Sequence, residues 1–491
     1  MNRLPFPCVP SQSACVSALL LLLGLVSTPA RVHGAEPAIW GYAVVASTDT
    51  MSDPDWKRVV DALQRRHQAE LFVYKNEVTS VSKWLRGLHP RHVCFVARPE
   101  EASREFVGKV HVMLRQLDDD PYADAFWGIV TGYDASNALR LATHEEPLVV
   151  RKVASGTEVA LEMCESGQWY CELKKNRWVT KEKGGTAEER KGPDDTTAAL
   201  AGLLNGAAAD LFVTSGHATE RDWMIGYSYR NGFFKCENGN LYGEDMLKER
   251  HPIYSPNPKV YLPVGNCLMG HINDRDAMAL AFLNSGGVNQ MAGYTVLTWY
   301  GYMGWGMLDY FVEQPGRFTL NQAYQANHHA LMHRLTTHFP ELANAEVAPG
   351  QRWRGPVQVG DAAKREGLRA MDGVGLLHDR DVVAFYGDPA WVAIMAEGPR
   401  RWEQVLTEKD GLYTLDIKPS SGAQSFEPVN INGSQRGGRP IVAFLPHRIG
   451  PAEVVEGADL QPVITDDLVL VPLPTWDEGR TYHVTFRATR L

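Results

Sequence analysis

Two apolar runs in this sequence end on side chains that could do nucleophilic chemistry. In "LFVTSGHATERDW" (211–223) a buried-looking run leads through Ser215 and Gly216 to His217. In "KVYLPVGNCLMGHI" (259–272) a second run leads through Gly265 and Asn266 to Cys267. An imidazole beside a thiol favours the thiolate, which is the reactive form. Taken singly, a strand-end histidine is usually a satisfied polar residue and a strand-end cysteine is usually packing. As a pair 50 positions apart (267 − 217), on two runs of the same type, they define a candidate site.

Other constellations are weaker. His329 and His333 in "NHHALMH" stand one helical turn apart, a spacing that can hold a metal, but the Glu of HExxH is missing. Cys267 and His271 offer two ligands at most. The run Asp118–Asp120 could take calcium as a structural ion, although a solvated loop is the plainer reading. No Walker or dinucleotide glycine motif stands where a strand meets a helix. No metal or cofactor is therefore assigned to the chemistry.

For His217 and Cys267 to meet, their strands must be parallel neighbours opening at one edge of a sheet. The flanking sequence is organised to build such a sheet. Strands are predicted at 40–47, 70–75 and 92–98 and at the end of "DDDPYADAFWGIVTG" (118–132), alternating with helices over 53–67, 78–88 and 104–117. Such alternation implies parallel pairing with right-handed crossovers. It resumes with a strand over "EVALEMC" (158–164), a helix over 196–207, the two site strands, a helix over 274–286 and a strand over 287–294. Helices over 300–314 and 319–335 follow. Between the halves, "ELKKNRWVTKEKGGTAEERKGPDD" (172–195) lacks apolar periodicity and reads as a charged loop. From about residue 396 short strands separated by Gly, Pro and Asp turns predict an all-β sandwich.

With 491 residues, 44% hydrophobic and 22% charged, the chain has room for two or three globular domains. The formal charge of −9 argues against a nucleic-acid protein that relies on a basic surface. Residues 1–34 read as a secretory signal peptide, with Arg3 ahead of the apolar core 18–26 and small residues before Ala35. Its removal would take Arg3 and Arg31, moving the charge from −9 to −11 (−9 − 2). No other stretch approaches the roughly 20 apolar residues of a membrane span. Five of the seven cysteines follow residue 34. Among them Cys164 and Cys171 form the expected bridge by proximity, and the odd count leaves one thiol buried or in use.

Several blocks, in order, resemble the gingipain family of the caspase–gingipain clan of cysteine peptidases. They are "DDDPYADAFWGIVTG", "FVTSGHATERDW", "VYLPVGNC", "DAMALAFLNSGGVNQMAGYT" and "AFYGDPAW" (384–391), within about 118–393. His before Cys, about 50 residues apart, is also the caspase order. The resemblance implies an exported cysteine endopeptidase with a two-subdomain, parallel-sheet α/β catalytic unit (35–150 and 151–395) and an all-β, Ig-like sandwich (396–491). It makes His217 the general base and acid and Cys267 the nucleophile that forms a thioacyl intermediate. The N–H groups of Cys267 and of the Gly216–Ala218 stretch would cradle the oxyanion. Glu165 is the expected third catalytic residue, ahead of Glu220 and Asp222. Trp299 and Trp305 in "GYTVLTWYGYMGWG" would line the substrate pocket, and no acid for a basic substrate residue is identified. The chain departs from the family at Ala218, where glycine is usual, and at Asn266, where a smaller residue is usual. Protein or peptide substrates, with no nucleic-acid partner, follow from this reading. The alternative is a caspase-like scaffold that has lost activity and serves as an exported binding or surface-assembly protein.

Overall fold

The structure, a computed structural model, describes residues 41–491. The expected signal peptide lies outside the described residues. A sheet of twelve strands organises the chain. In chain order these are β1 (Tyr42–Ser47), β2 (Glu70–Tyr74), β3 (His92–Val96), β4 (Phe126–Val130), β5 (Lys152–Ser155), β6 (Ser166–Tyr170), β7 (Arg177–Lys181), β8 (Glu188–Lys191), β9 (Leu211–Thr214), β10 (Lys259–Pro263), β11 (Val288–Tyr294) and β12 (Val383–Tyr386). Their spatial order is β2-β1-β3-β4-β12-β11-β10-β9-β5-β6-β7-β8.

Two parallel blocks make up most of this sheet. β2, β1, β3, β4 and β12 run one way. β11, β10, β9, β5 and β6 form the second parallel block. The blocks meet antiparallel at β11 and β12. Every residue of β1, β4, β9, β10 and β11 is buried, as expected for strands covered on both faces. That explains why their sequences are mostly apolar rather than alternating, with Lys259, Asn289 and Gln290 as buried polar exceptions.

Three expectations are corrected. "EVALEMC" is no strand: Leu161–Met163 is a 3₁₀ turn, with Met163 N donating to Ala160 O and Cys164 N to Leu161 O. Its apolar residues are buried, so the run signalled burial rather than extension. The stretch 172–195 is not an unstructured loop. It contains β7 and β8, which continue the sheet antiparallel past β6. All four residues of β8 are exposed, and their charge suits an edge strand that must not recruit further strands. Cys164 and Cys171 form no bridge, and both are free thiols. They bracket the five residues of β6, so their backbones stand roughly 20 Å apart at about 3.3 Å per residue, beyond the ~7 Å a disulfide tolerates.

Between His217 and Cys267 the chain makes a separate antiparallel sheet from Asp222–Met224, Phe233–Glu237, Asn240–Glu244 and Arg250–Ile253. The C-terminal module has a four-stranded sheet (Trp402–Lys409, Leu412–Pro419, Tyr482–Arg487, Glu453–Glu456) facing a three-stranded one (Ile441–Phe444, Leu468–Val471, Val463–Ile464). The second of these is used on both faces. Ile441, Ala443, Val469 and Val471 point into the module's own core, whereas Val442, Leu468 and Leu470 join the main core. Phe444 meets Phe126 and Phe318 edge-on. Among the described residues no helix is long and apolar enough to cross a membrane.

Candidate functional site

The carboxyl ends of β11, β10, β9, β5 and β6 open along one edge, and each delivers a polar or reactive group there. β9 and β10 are hydrogen-bonded neighbours in register Leu211↔Val260 to Thr214↔Pro263, so the segments leading to His217 and Cys267 leave the sheet side by side. Adjacent strands are about 4.8 Å apart. Asn266, the last residue before the thiol, is fully buried and ties the two exits together. Its Oδ1 accepts from Thr214 Oγ1 at 2.6 Å, and its Nδ2 donates to the Gly216 carbonyl at 2.9 Å. An asparagine at this position therefore has a local purpose.

His217 is exposed and stacks on Tyr227, with ring centroids 4.9 Å apart. Neither imidazole nitrogen has a protein partner among the described residues. Cys267 Sγ lies against the loop after β11, accepting from Thr298 N at 3.2 Å and approaching Thr298 O at 3.7 Å. No hydrogen bond joins thiol and imidazole. The N–H groups of Cys267, His217 and Ala218 donate to no group among the described residues, which leaves them available to an oxyanion. The left-handed residue of the His loop is Gly216, at φ 102°, and Ala218 is not among the residues with positive φ. The Cβ of Ala218 thus imposes no backbone strain.

Glu165 is not brought to this edge. It precedes β6, at the opposite end of the sheet, and pairs with Arg151 at 2.8 Å and Lys183 at 2.9 Å. Glu220 Oε1 accepts from Asn273, and Asp222 begins the inserted sheet. The acid at the site end is Glu172, seven residues after Glu165 and just beyond β6. It is 4% exposed. Its Oε1 accepts from Thr157 Oγ1 at 2.5 Å and Ser215 Oγ at 3.3 Å, while Oε2 is buried without a partner. Sequence reasoning misses Glu172 because "EVALEMC" reads as the strand. Placing that strand at "SGQWY" instead puts Glu172, and not Glu165, at the carboxyl end.

Of the two tryptophans, Trp299 is 41% exposed beside Cys267, against His378 and under Arg352. Trp305 is buried next to the nucleophile's loop: a Cβ on Gly265 would stand 3.1 Å from its indole. Exposed apolar side chains cluster on this rim. Leu173 follows Glu172, Tyr227 stacks on His217, and Leu297 and Trp299 flank Thr298.

The remaining candidates lie elsewhere. His329 is fully buried against Tyr122 and Phe444, and burial pushes its pKa down to about 3. His333 Nδ1 lies 3.4 Å from Tyr122 Oη. His111, His328 and Asp381 come within ligating distance of one another, but His111 bonds Val383 O, His328 bonds Arg380 O, and Asp381 pairs with Arg115 and Arg380. Asp118 and Asp120 lie with Asp466 of the C-terminal module in a group with metal-like spacing.

No family model matches the chain, and no curated protein matches it. Among solved structures it is similar to the complex of Porphyromonas gingivalis RgpB pro- and mature domains, at 10% identity and a TM-score of 0.41, covering 92% of this chain and 99% of that one. It is also similar to a structure described as a protease, at 9% identity and a TM-score of 0.40, covering 92% and 97%. Similarity at this level fixes no residue's role.

Proposed function

We propose that the chain is an exported cysteine endopeptidase with Cys267 as nucleophile and His217 as its base and acid. The observation that carries this reading is the pair of adjacent parallel strands whose exits, joined through Asn266, bring both residues to one edge. In the reaction the thiol proton passes to His217 and the sulfur adds to the substrate carbonyl carbon. The resulting oxyanion is met by the free N–H groups of Cys267 and its neighbours across the cleft. Return of the proton to the departing amine breaks the peptide bond and leaves a thioester, which a water activated by His217 hydrolyses. The partnerless oxygen of buried Glu172 suits a cationic substrate side chain, because a charge-assisted bond would satisfy it. Calcium has its candidate place at Asp118, Asp120 and Asp466, away from the chemistry.

The second reading, an inactive binding scaffold, draws on one observation: Cys267 is engaged by Thr298 rather than by His217. One experiment separates the two. The parent protein, Cys267→Ala and His217→Ala are incubated with a peptide library and a peptidyl chloromethyl ketone and read by mass spectrometry. Cleavage and a single adduct on Cys267, both absent from Cys267→Ala and strongly reduced in His217→Ala, are expected. An intact library and an unmodified Cys267 would instead favour the scaffold.

A further inference from the structure

Glu172 and Trp305, read above as parts of the substrate pocket, are both covered by a segment of the C-terminal module. Residues 420–440 connect the strands Leu412–Pro419 and Ile441–Phe444, and part of this connection reaches across to the site edge. Asn432 Nδ2 donates to Thr157 Oγ1 at 3.2 Å, to Glu172 Oε1 at 3.3 Å and to the Glu158 carbonyl at 3.5 Å. Gly433, at φ 105°, lies flat on the Trp305 indole, where a Cβ would come within 2.3 Å of the ring. Trp305 is thus enclosed between Gly433 on one side and Gly265 of the nucleophile's loop on the other.

The segment is held unequally along its length. At its base Arg436 pairs with Asp309 at 2.6 Å and with Glu313, and Arg439 lies 3.2 Å from Asp309 and 3.5 Å from the centre of the Tyr302 ring. All four charged side chains are nearly inaccessible to solvent. The tip reaches the site edge through the long bonds of Asn432, a 3.5 Å bond from Asn430 Nδ2 to Glu158 Oε1 and the stacking of Gly433, while Arg436 Nη1 of the base donates to the Asn432 carbonyl at 2.9 Å; its Ile431 is 78% exposed. Gly433, Gly437 and Gly438 all have positive φ, a conformation that glycine alone adopts without strain. Release of the tip would cost the Asn430 and Asn432 side-chain bonds and the Arg436 bond to the Asn432 carbonyl, while the ion pairs of the base stay in place.

We infer that the tip, residues 430–434, is an internal ligand of this pocket. Asn432 holds the carboxylate of Glu172 in the place of a substrate side chain, so that the C-terminal module gates the site. The inference rests on the reading of Glu172 as the acid of the substrate pocket. An amide makes only neutral-donor bonds to the carboxylate, whereas a guanidinium or ammonium makes stronger charge-assisted ones, so a cationic side chain is suited to displace it.

The test uses the full chain carrying Cys267→Ala, with and without Asn432→Ala or Asn432→Gly, titrated with agmatine by calorimetry. Because the probe needs no reaction at the thiol, the result is independent of catalysis. An internal competitor lowers apparent affinity by the fraction of time the pocket is free, so both Asn432 variants should bind roughly five- to tenfold tighter than their parent. The same variants with Cys267 intact should show a matching rise in kcat/KM, carried by KM. Unchanged thermal midpoints establish that the exposed tip tolerates the substitutions. Equal binding by parent and variants would overturn the gate while leaving Glu172 as the pocket's acid. Absence of binding by all of them would overturn both.

Discussion

The tie between the two catalytic exits can be broken at Asn266, and the cost can be worked from its surroundings. Asn266 is 0% exposed and makes two side-chain bonds, at 2.6 Å from Thr214 and 2.9 Å to the Gly216 carbonyl. Its amide orientation is fixed by the partners, since a carbonyl only accepts and the Thr214 hydroxyl can donate. In Asn266→Ala, Thr214 keeps the Tyr261 hydroxyl at 2.9 Å, but Gly216 O is left without its donor. At about 0.5–1.5 kcal/mol for each net bond, with the desolvated carbonyl added, the loss is about 2–3 kcal/mol of stability. Urea unfolding should show a lower midpoint at an unchanged slope. Peptide cleavage should fall further than stability alone explains, because Gly216 carries the backbone of His217. Asn266→Asp sharpens the test. It keeps an acceptor for Thr214 but sets a second oxygen against Gly216 O unless it is protonated. The new carboxyl would have a folded-state pKa above its unfolded one, so its deficit should be small in acid and grow as pH rises through the folded value. If both variants unfold within about 0.5 kcal/mol of the parent, the range of an ordinary surface substitution, Asn266 is not the tie.

Glu172→Gln should lower kcat/KM for peptides with a basic residue before the cut by about 100-fold, a loss typical of a missing buried charge partner. Alkylation of Cys267 by iodoacetamide should stay at the parental rate, and a parallel drop in both would refute a substrate-recognition role. The stability difference between the parent and Asp124→Asn should also move against the parent as pH rises from 5 to 8, a comparison that cancels the buried histidines, whose lowered pKa values act in the opposite direction. Burial, with repulsion from Asp118, pushes Asp124 up to about 10 and Asp120 to about 7, and burial beside Asp466 pushes Asp467 to about 6. Carboxyls raised above their unfolded values stabilise the fold below about pH 4 and lose that contribution as pH climbs through the folded values. Differential scanning fluorimetry at the two pH values checks this. Calcium should raise the midpoint more at pH 8 than at pH 5, and an equal effect at both would remove this cluster as its site.

How much of this was legible beforehand depended on what each signal reports. The continuous apolar runs at 211–214 and 259–263 marked buried parallel strands, and the small residues after them marked exits, so His217 and Cys267 could be paired from the sequence. A run such as "EVALEMC" is equally apolar, yet its backbone closes 3₁₀ bonds and the true strand is the mixed "SGQWY". Polar residues are tolerated there because β6 borders the charged β7–β8 hairpin rather than the centre of the sheet. That error of one element moved the expected acid from the rim to the far end, since Glu165 and Glu172 bracket a single five-residue strand. Asn432 was beyond reach in principle. Nothing local in "NINGSQRGGRP" reports that it packs on residues more than 250 positions earlier.

The same long-range contact bears on whether the catalytic unit can stand alone. A chain cut at residue 395 would lose the face formed by Val442, Leu468 and Leu470, together with Phe444 packed on Phe126 and Phe318. It would also lose Arg436 and Arg439, the cations of Asp309 and Glu313. The apolar face left in water is the main cost, at about 1.5–3 kcal/mol for each large side chain that loses its cover, against a typical total stability of about 5–15 kcal/mol. The truncated chain should therefore be unfolded or aggregated on size-exclusion chromatography. A monomeric truncation with the parental thermal midpoint would show that the module is an appendage. It would also weaken the case that its loop, anchored by those same arginines, was built to reach the site.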